Sequence, residues 1–164
     1  VYTQFSQGFD KELNSVFSEF KSESVDELIL DLRYNRGGLT KTALYLSGMI
    51  TGQFTGQIFS QKIWNKKVTD YYESIDSTDW MKDLFVSEMD DKTVINSLNL
   101  NRVYIITSSN SASASEMLIN GLSPFINVIQ LGEATYGKNV GGLAVVYDYI
   151  DNTNRILILS LIHI

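Results

Sequence analysis

The first candidate chemistry lies in a serine-rich loop, called the serine loop, with the sequence Ser108-Ser109-Asn110-Ser111-Ala112-Ser113-Ala114-Ser115-Glu116. Its small side chains would let a substrate approach, and a helix predicted to start here would offer unpaired N–H groups to developing negative charge. A serine hydroxyl in this loop could therefore act as a nucleophile. The same residues also fit a capping box, because Glu116 follows Ser113 by three positions, and capping is the commoner role of this pattern. The two roles use neighbouring groups and are compatible.

A second loop, the lysine loop, runs through Gly132-Glu133-Ala134-Thr135-Tyr136-Gly137-Lys138-Asn139. Its spacing matches the phosphate-binding pattern G-x-x-x-x-G-K-[ST] except at Asn139, where a hydroxyl is needed. That motif must open a helix, whereas a β-branched alternating pattern follows here, so the context excludes a nucleotide site. Lys138 is then either a solvated surface charge or a base in a small-residue loop.

The remaining polar loop comes before the other two in the chain and is called the first loop. Its sequence is Asp31-Leu32-Arg33-Tyr34-Asn35-Arg36-Gly37-Gly38. Two glycines and an asparagine tolerate left-handed backbone, which predicts a tight turn. The alternative is a pair of amides left free to bind an anion or an oxyanion.

The residue types that the chain lacks narrow the chemistry of these loops. There is no Cys and only one His, His163, so thiolate nucleophiles, Cys-based zinc sites and sites built on several imidazoles are excluded. A serine nucleophile would need another base, and lysine is the substitute in Ser-Lys variants of the triad. Lys138 would have to be neutral near pH 7, a pKa shift of about 3 units, which burial can supply.

Each of the three loops follows a segment that is predicted to be an apolar strand, and the nearly continuous apolar run over 28–32 predicts a strand buried on both faces. These strands are predicted over 28–32, 103–107 and 127–131. Helices are predicted over 8–21, 39–50 and 113–122, and further strands over 58–64, 143–150 and 155–162. The alternation of strand and helix predicts an α/β fold with a mostly parallel sheet, in which loops at the carboxyl ends of the strands form the ligand site.

Composition sets the class of molecule. The chain has 164 residues, 44% of them hydrophobic, which suffices for one domain with a single core. With 13 Lys and Arg against 19 Asp and Glu the net charge is −6, so nucleic acid and anionic membranes are unlikely partners. No apolar stretch is long enough to span a bilayer. The segment 66–100 is rich in acidic residues and is predicted to be a solvated insertion within the domain.

Along the chain the first loop is followed by the serine loop and then by the lysine loop. In that order the three loops resemble the carboxyl-terminal processing (tail-specific) serine proteases, in the version found in Bacteroidetes-type bacteria. Each motif alone is weak, but the ordered set is specific and spans Asp31 to Lys138. The resemblance implies the ClpP/crotonase-like fold, an α/β core of a mostly parallel sheet with flanking helices. It implies a polypeptide substrate, no cofactor and no metal, and an exported protein of the periplasm or cell envelope.

The resemblance also assigns roles to residues. Ser113 matches the nucleophile, Lys138 the base, and Glu116 an acid that in some members orients the lysine or the serine. The oxyanion hole would come from the N–H of Ala114 and of Gly37 or Gly38. Many members carry a Gln four residues after the lysine, where this chain has Gly142, and this favours a Ser-Lys dyad supported by Glu116.

Two other functions on the same fold stay open from the sequence. One is a catalytically silent peptide-binding module, because Gly142 replaces the Gln and no PDZ domain is recognisable. The other is an acyl-CoA-handling relative, which is less favoured because no basic cluster is placed to bind CoA phosphates. Since the chain starts without Met and ends in a strand-like run, we expect a domain spanning 1–164 that is truncated at both ends. We expect this domain either to self-associate through its apolar last strand or to have a mobile loop at Lys138.

Overall fold

The computed structural model describes residues 1–148 and 155–163, with side chains as far as Gly142. Its main sheet is built from β1 (Ile29–Asp31), β4 (Arg102–Thr107) and β5 (Asn127–Gly132). These three strands are parallel and lie in the order β1-β4-β5. Because Asp31 pairs with Ile106 and Thr107 with Gly132, the carboxyl ends of the strands meet at one edge of the sheet. The predicted α/β fold with a parallel sheet is confirmed.

Four helices accompany the strands: α1 (Asp10–Ser22), α2 (Thr40–Ile50), α3 (Lys66–Ser74) and α4 (Ala114–Leu122). The predicted helices over 8–21, 39–50 and 113–122 correspond to α1, α2 and α4 with ends that differ by two residues at most. Almost every residue of α2 and α4 is buried, which explains their apolar composition on all faces. The core formed with the sheet includes Leu32, Leu46, Ile105 and Leu118, all with 0% exposure.

A small second sheet joins β2 (Ile58–Gln61) to β3 (Lys82–Leu84) in antiparallel pairing, and α3 lies between these strands in sequence. The strand predicted over 58–64 ends three residues earlier, at Gln61. The Phe59 ring occupies the space over Gly121 of α4, where an added Cβ would come within 2.4 Å of the ring. This close approach packs β2 against α4, near the carboxyl end of the helix.

The acidic segment 66–100 has two parts that differ in burial. Its first part, α3, contains no buried residue, as its charge predicts. Its second part contributes Phe85, Met89, Ile95 and Leu100 to the main core, while its charged side chains face outward, as in the Lys41–Asp90 ion pair. Apolar residues at irregular spacing therefore anchor a segment whose average composition predicts solvation.

The last two strands, β6 (Val140–Asp148) and β7 (Arg155–His163), pair with each other in antiparallel fashion over their full length. Within 1–148 and 155–163, neither strand pairs with the main sheet. β6 starts three residues before the predicted position 143, so Gly141 and Gly142 lie in a strand and not in a loop. Among the described helices, none is both long enough and apolar enough to cross a membrane.

Candidate active site

Asn35 fixes the first loop against the serine loop. It is completely buried, and its carbonyl oxygen accepts hydrogen bonds from the Ala112 N–H at 3.2 Å and the Ser115 hydroxyl at 3.0 Å. Its side chain accepts from the Gly37 N–H at 2.8 Å and donates to the Tyr2 carbonyl at 3.0 Å. A buried polar side chain with every group paired specifies one arrangement of the backbone around it. The two loops are therefore held in a fixed relative position.

The serines of the serine loop divide into structural and accessible residues. Ser111 is fully buried, donates to the Leu32 carbonyl at 2.7 Å and accepts from the Ser108 N–H at 3.1 Å. Ser115 is also fully buried and is bound to Asn35. Ser113 lies between them, is only half-buried and faces a cleft. Of these three serines, Ser113 is therefore the one whose side chain is accessible from the cleft.

The backbone of Ser113 is in an unusual conformation, with φ +58° and ψ −114°. Residues in sparsely populated backbone regions cost about 1–3 kcal/mol and cluster at functional sites. Gly37 packs directly against this turn, since a Cβ added there would lie 2.7 Å from Ser113 Cβ and 2.9 Å from the Ala114 nitrogen. Only a glycine, at φ +99°, lets the first loop approach the start of α4 so closely.

The three amides that the sequence proposes for anion binding differ in their hydrogen bonding. The Gly37 N–H is already donated to the Asn35 side chain. The N–H groups of Gly38 and Ala114 have no acceptor within the described part of the chain. Ala114 is the first residue of α4, so its amide also lies at the positive end of the helix dipole. Gly38 and Ala114 are the two amides available to a bound oxyanion.

Glu116 connects the serine loop to the lysine loop. Its carboxylate is buried, and Oε2 accepts from the Ser113 N–H at 2.7 Å and the Lys138 N–H at 3.0 Å. Oε1 accepts from the Gly137 N–H. The bond to Ser113 is the one expected of a capping glutamate, and the bonds to the lysine loop are additional. The capping role and a positioning role therefore coexist in one side chain.

Ser113 and Lys138 line the same cleft, which has a volume of about 230 Å³. The opposite wall comes from β2, with Phe59, Ser60 and Gln61. The Lys138 side chain is exposed, and no hydrogen bond between its Nζ and Ser113 Oγ occurs in the part of the structure described. The structure therefore brings both residues to one cleft without a direct bond between them.

The position of the missing Gln is occupied by Gly142 in β6. Gly142 is exposed, and a Cβ added there would meet no atom within 4 Å. This position therefore contributes no side chain to the cleft and has room for one.

An ion pair stabilises the first loop just behind the site. The Arg33 guanidinium binds both carboxylate oxygens of Asp31, at 3.0 Å from Nε to Oδ1 and 2.8 Å from Nη2 to Oδ2. The Arg33 N–H also donates to Oδ1 at 3.1 Å. These hydrogen bonds, with the side-chain bonds as the main cause, lower the pKa of Asp31 to about 2.

Two features of the site are not apparent from the sequence reasoning. Asn35 lies in a motif interpreted as a turn, and nothing local shows that its side chain and carbonyl bind two other segments. The contribution of β2 to the cleft depends on the contact between Phe59 and Gly121, which are 62 positions apart in the chain. Two residues so far apart in the chain produce no periodic pattern in the sequence from which their contact could be predicted.

The chain is similar to known proteins over most of its length. The model of peptidase family S41 matches residues 1–154. The carboxy-terminal processing protease CtpA of Bacillus subtilis is 27% identical over 146 residues, which are 89% of this chain and 27% of that protein. A Bacteroides fragilis structure described as an S41 protease has a TM-score of 0.75 and 26% identity, covering 99% of this chain and 40% of that one.

A photosystem II D1 C-terminal processing protease superposes with a TM-score of 0.60 at 20% identity, covering 98% of this chain and 34% of that one, and supports the fold. The chain therefore spans well under half the length of these relatives.

Proposed function

The chain belongs to peptidase family S41, and we propose that it is a serine endopeptidase that cleaves polypeptides near their carboxyl end through a Ser-Lys acyl-enzyme mechanism. One observation carries the proposal: Ser113 and Lys138 line one cleft, and the buried Glu116 carboxylate binds the backbone of both loops. The nucleophile and its base must lie within reach of each other, and Glu116 supports this arrangement.

In the proposed reaction, Ser113 Oγ attacks the scissile carbonyl carbon while Lys138 Nζ accepts the hydroxyl proton. The carbonyl oxygen becomes an oxyanion that receives the N–H groups of Gly38 and Ala114, each worth about 3 to 4 kcal/mol by analogy with other acyl-transfer enzymes. The carbon–nitrogen bond then breaks, and Lys138 returns the proton to the leaving amine. A water molecule, deprotonated by Lys138, hydrolyses the acyl-enzyme and regenerates Ser113.

Substrate binding would also prepare the lysine. Lys138 is exposed, and a lysine amine accepts a proton only in its neutral form. A polypeptide bound across the cleft would exclude water from Nζ, and desolvation favours the neutral amine. The dyad would therefore be assembled only when the cleft is filled.

Cleavage near the carboxyl end and export to the periplasm or cell envelope belong to this proposal. The first is supported by the similarity to the carboxy-terminal processing protease CtpA of Bacillus subtilis, and export is carried over from the family resemblance.

A second candidate function is a peptide-binding module without catalysis. It is favoured by the exposed Lys138, which is not bound to Ser113, and by Gly142, which supplies no third group. Such a module would keep the cleft and lose only the chemistry.

Serine substitutions separate the two functions. We expect Ser113→Ala to abolish both hydrolysis of an unfolded polypeptide and labelling by a fluorophosphonate probe, with no change in urea stability. The matched variant Ser111→Ala should lose about 1–3 kcal/mol of stability, because it leaves the Leu32 carbonyl and Ser108 N–H without their partner, and should still be labelled. Absence of labelling in the unmodified protein would favour the binding module, and labelling that persists in Ser113→Ala would place the nucleophile elsewhere.

A further inference from the structure

An aromatic patch lies beside the cleft, in the segment between β2 and β3. We define it by Trp64, Tyr71, Tyr72 and Trp80, together with Ile63. The ring centroids of Trp64 and Trp80 are 5.1 Å apart, those of Tyr72 and Trp80 4.5 Å, and those of Tyr71 and Tyr72 5.1 Å. The four rings thus form a continuous apolar surface.

The aromatic patch is much more exposed than a structural core would be. Ile63 is 66% exposed, Tyr71 59% and Trp80 37%. Contiguous exposed apolar side chains of this size mark interaction sites in soluble proteins. No residue of α3, which carries both tyrosines, is buried.

One polar atom of the aromatic patch also lacks a partner. The Trp64 indole N–H is buried against its neighbours, and within the described residues it has no hydrogen-bond acceptor. Buried indole N–H groups are normally paired, because leaving one unpaired is unfavourable.

A second cavity, of about 250 Å³, adjoins the aromatic patch. It is lined by Ile63 and Trp64 among others, and Gln61 lines both this cavity and the cleft that holds Ser113. The two cavities are therefore neighbours at the end of β2. Extended polypeptide advances about 3.3 Å per residue, so a chain lying along the four residues of β2 would reach the aromatic patch within roughly four residues of the scissile bond.

The charges that line the second cavity balance. Lys62 is paired with Asp83 at 2.6 Å, with side-chain exposures of only 20% and 13%. The other two charged residues of the lining, Glu73 and Lys82, have opposite signs. A lining without net charge suits an uncharged side chain.

We propose that the aromatic patch is an exosite that binds an apolar side chain of the same polypeptide whose scissile bond lies at Ser113. This inference rests on the proposed function, because the second cavity shares Gln61 with the cleft, and a polypeptide held at Ser113 is the occupant that would reach both. It predicts that an apolar residue a few positions from the scissile bond strengthens binding without changing the chemical step.

The tryptophans provide a direct test, since the chain contains two and both belong to the aromatic patch. Tryptophan emission of the Ser113→Ala variant therefore reports on this surface alone. The probe is a peptide of about 20 Gly and Ser residues carrying three spaced Leu and no aromatic residue, and its counterpart lacks the Leu. We expect a saturable change in emission with the Leu peptide and none with the counterpart.

A kinetic comparison uses a matched pair of double variants. Ile63→Ala with Trp80→Ala removes apolar groups from the aromatic patch, and Ile29→Ala with Phe9→Ala removes an isoleucine and an aromatic residue, each 66% exposed, elsewhere on the surface. We expect the first to raise KM for the Leu peptide about tenfold with kcat unchanged, and the second to leave both unchanged.

The outcomes distinguish the two proposals. Cleavage of the Leu peptide with no emission change, or equal KM in both double variants, would overturn the exosite and leave the protease standing. An emission change with no cleavage by the unmodified protein would overturn the protease and leave the apolar binding surface standing. If the Ile63 and Trp80 double variant does not fold, the emission titration decides alone.

Discussion

At the residue scale, the Glu116 carboxylate receives three backbone N–H groups from two loops. Glu116→Gln tests its positioning role, because a glutamine offers one acceptor oxygen and must place its NH₂ group against at least one of these donors. We expect kcat to fall by tenfold or more, and stability to fall by about 1–3 kcal/mol. Peptide hydrolysis and urea unfolding, measured on the same samples, give the two effects separately.

Glu133→Gln is the matched control. Glu133 lies in the lysine loop and, like Glu116, accepts a backbone N–H of the serine loop, but by a single long bond from Ser109 at 3.3 Å that an amide oxygen can also accept. We expect wild-type turnover from it. Equal small effects of both variants would leave Glu116 as a helix cap only.

The ion pair of Asp31 predicts how the free energy of unfolding changes at acidic pH. Because its folded pKa is about 2, below the ordinary value of 3.8, its ion pair stabilises the native state fully above about pH 4, and the contribution is lost as the pH falls from 4 through 2. Asp31→Asn should therefore lower stability at pH 7 and flatten the loss between pH 4 and pH 2. Urea midpoints at pH 7, 4 and 2 check this, with the exposed Asp26→Asn expected to behave as wild type. A wild-type slope in Asp31→Asn would contradict the prediction.

At the element scale, the turn into α4 depends on the close approach of Gly37. In Gly37→Ala the new methyl group would lie 2.7 Å from both the Ala112 carbonyl oxygen and Ser113 Cβ, so the serine loop must move. We expect at least a hundredfold loss of kcat, since small displacements of a catalytic group have such effects.

The control for Gly37→Ala is Gly56→Ala, because Gly56 also has a positive φ, +87°, but has open space where the methyl group would be. It should cost about 1 kcal/mol of stability through backbone strain alone and leave hydrolysis intact. If Gly37→Ala retained activity, the packing of the first loop on α4 would not matter for the reaction.

The elements show which parts of the fold the sequence can reveal. β1, β4 and β5 were predictable because each is a short, mainly apolar segment that leads into a polar loop, and their parallel pairing brings the three loops to one edge. β5 contains no buried residue, which its sequence does not reveal. β3 was not predictable, since it reads Lys82-Asp83-Leu84 and is fixed by distant partners, such as the Asp83 bonds to Ser60 and Lys62. The same holds for Asn35, whose importance comes from contacts with Tyr2 and the serine loop.

At the scale of the whole molecule, the β6-β7 sheet predicts self-association. Its strands pair with each other over nine positions, and neither pairs with another described strand, so each has a second edge. The sequence Ile156-Leu157-Ile158-Leu159 adds high β-propensity without charge. We expect elution in size-exclusion chromatography to shift to larger species as protein concentration rises, and Ile158→Lys to reduce this shift. A concentration-independent monomer would contradict the expectation.

The way in which the lysine loop is attached has a consequence for how its chemistry can be altered. Glu116 binds the N–H groups of Gly137 and Lys138, and the Ser111 carbonyl binds that of Tyr136. Every amino acid except proline carries this group, so the attachment does not depend on the identity of the side chains that the loop presents. The side chain at position 138 can therefore be replaced by that of another amino acid, natural or synthetic, while the backbone of the loop keeps its conformation.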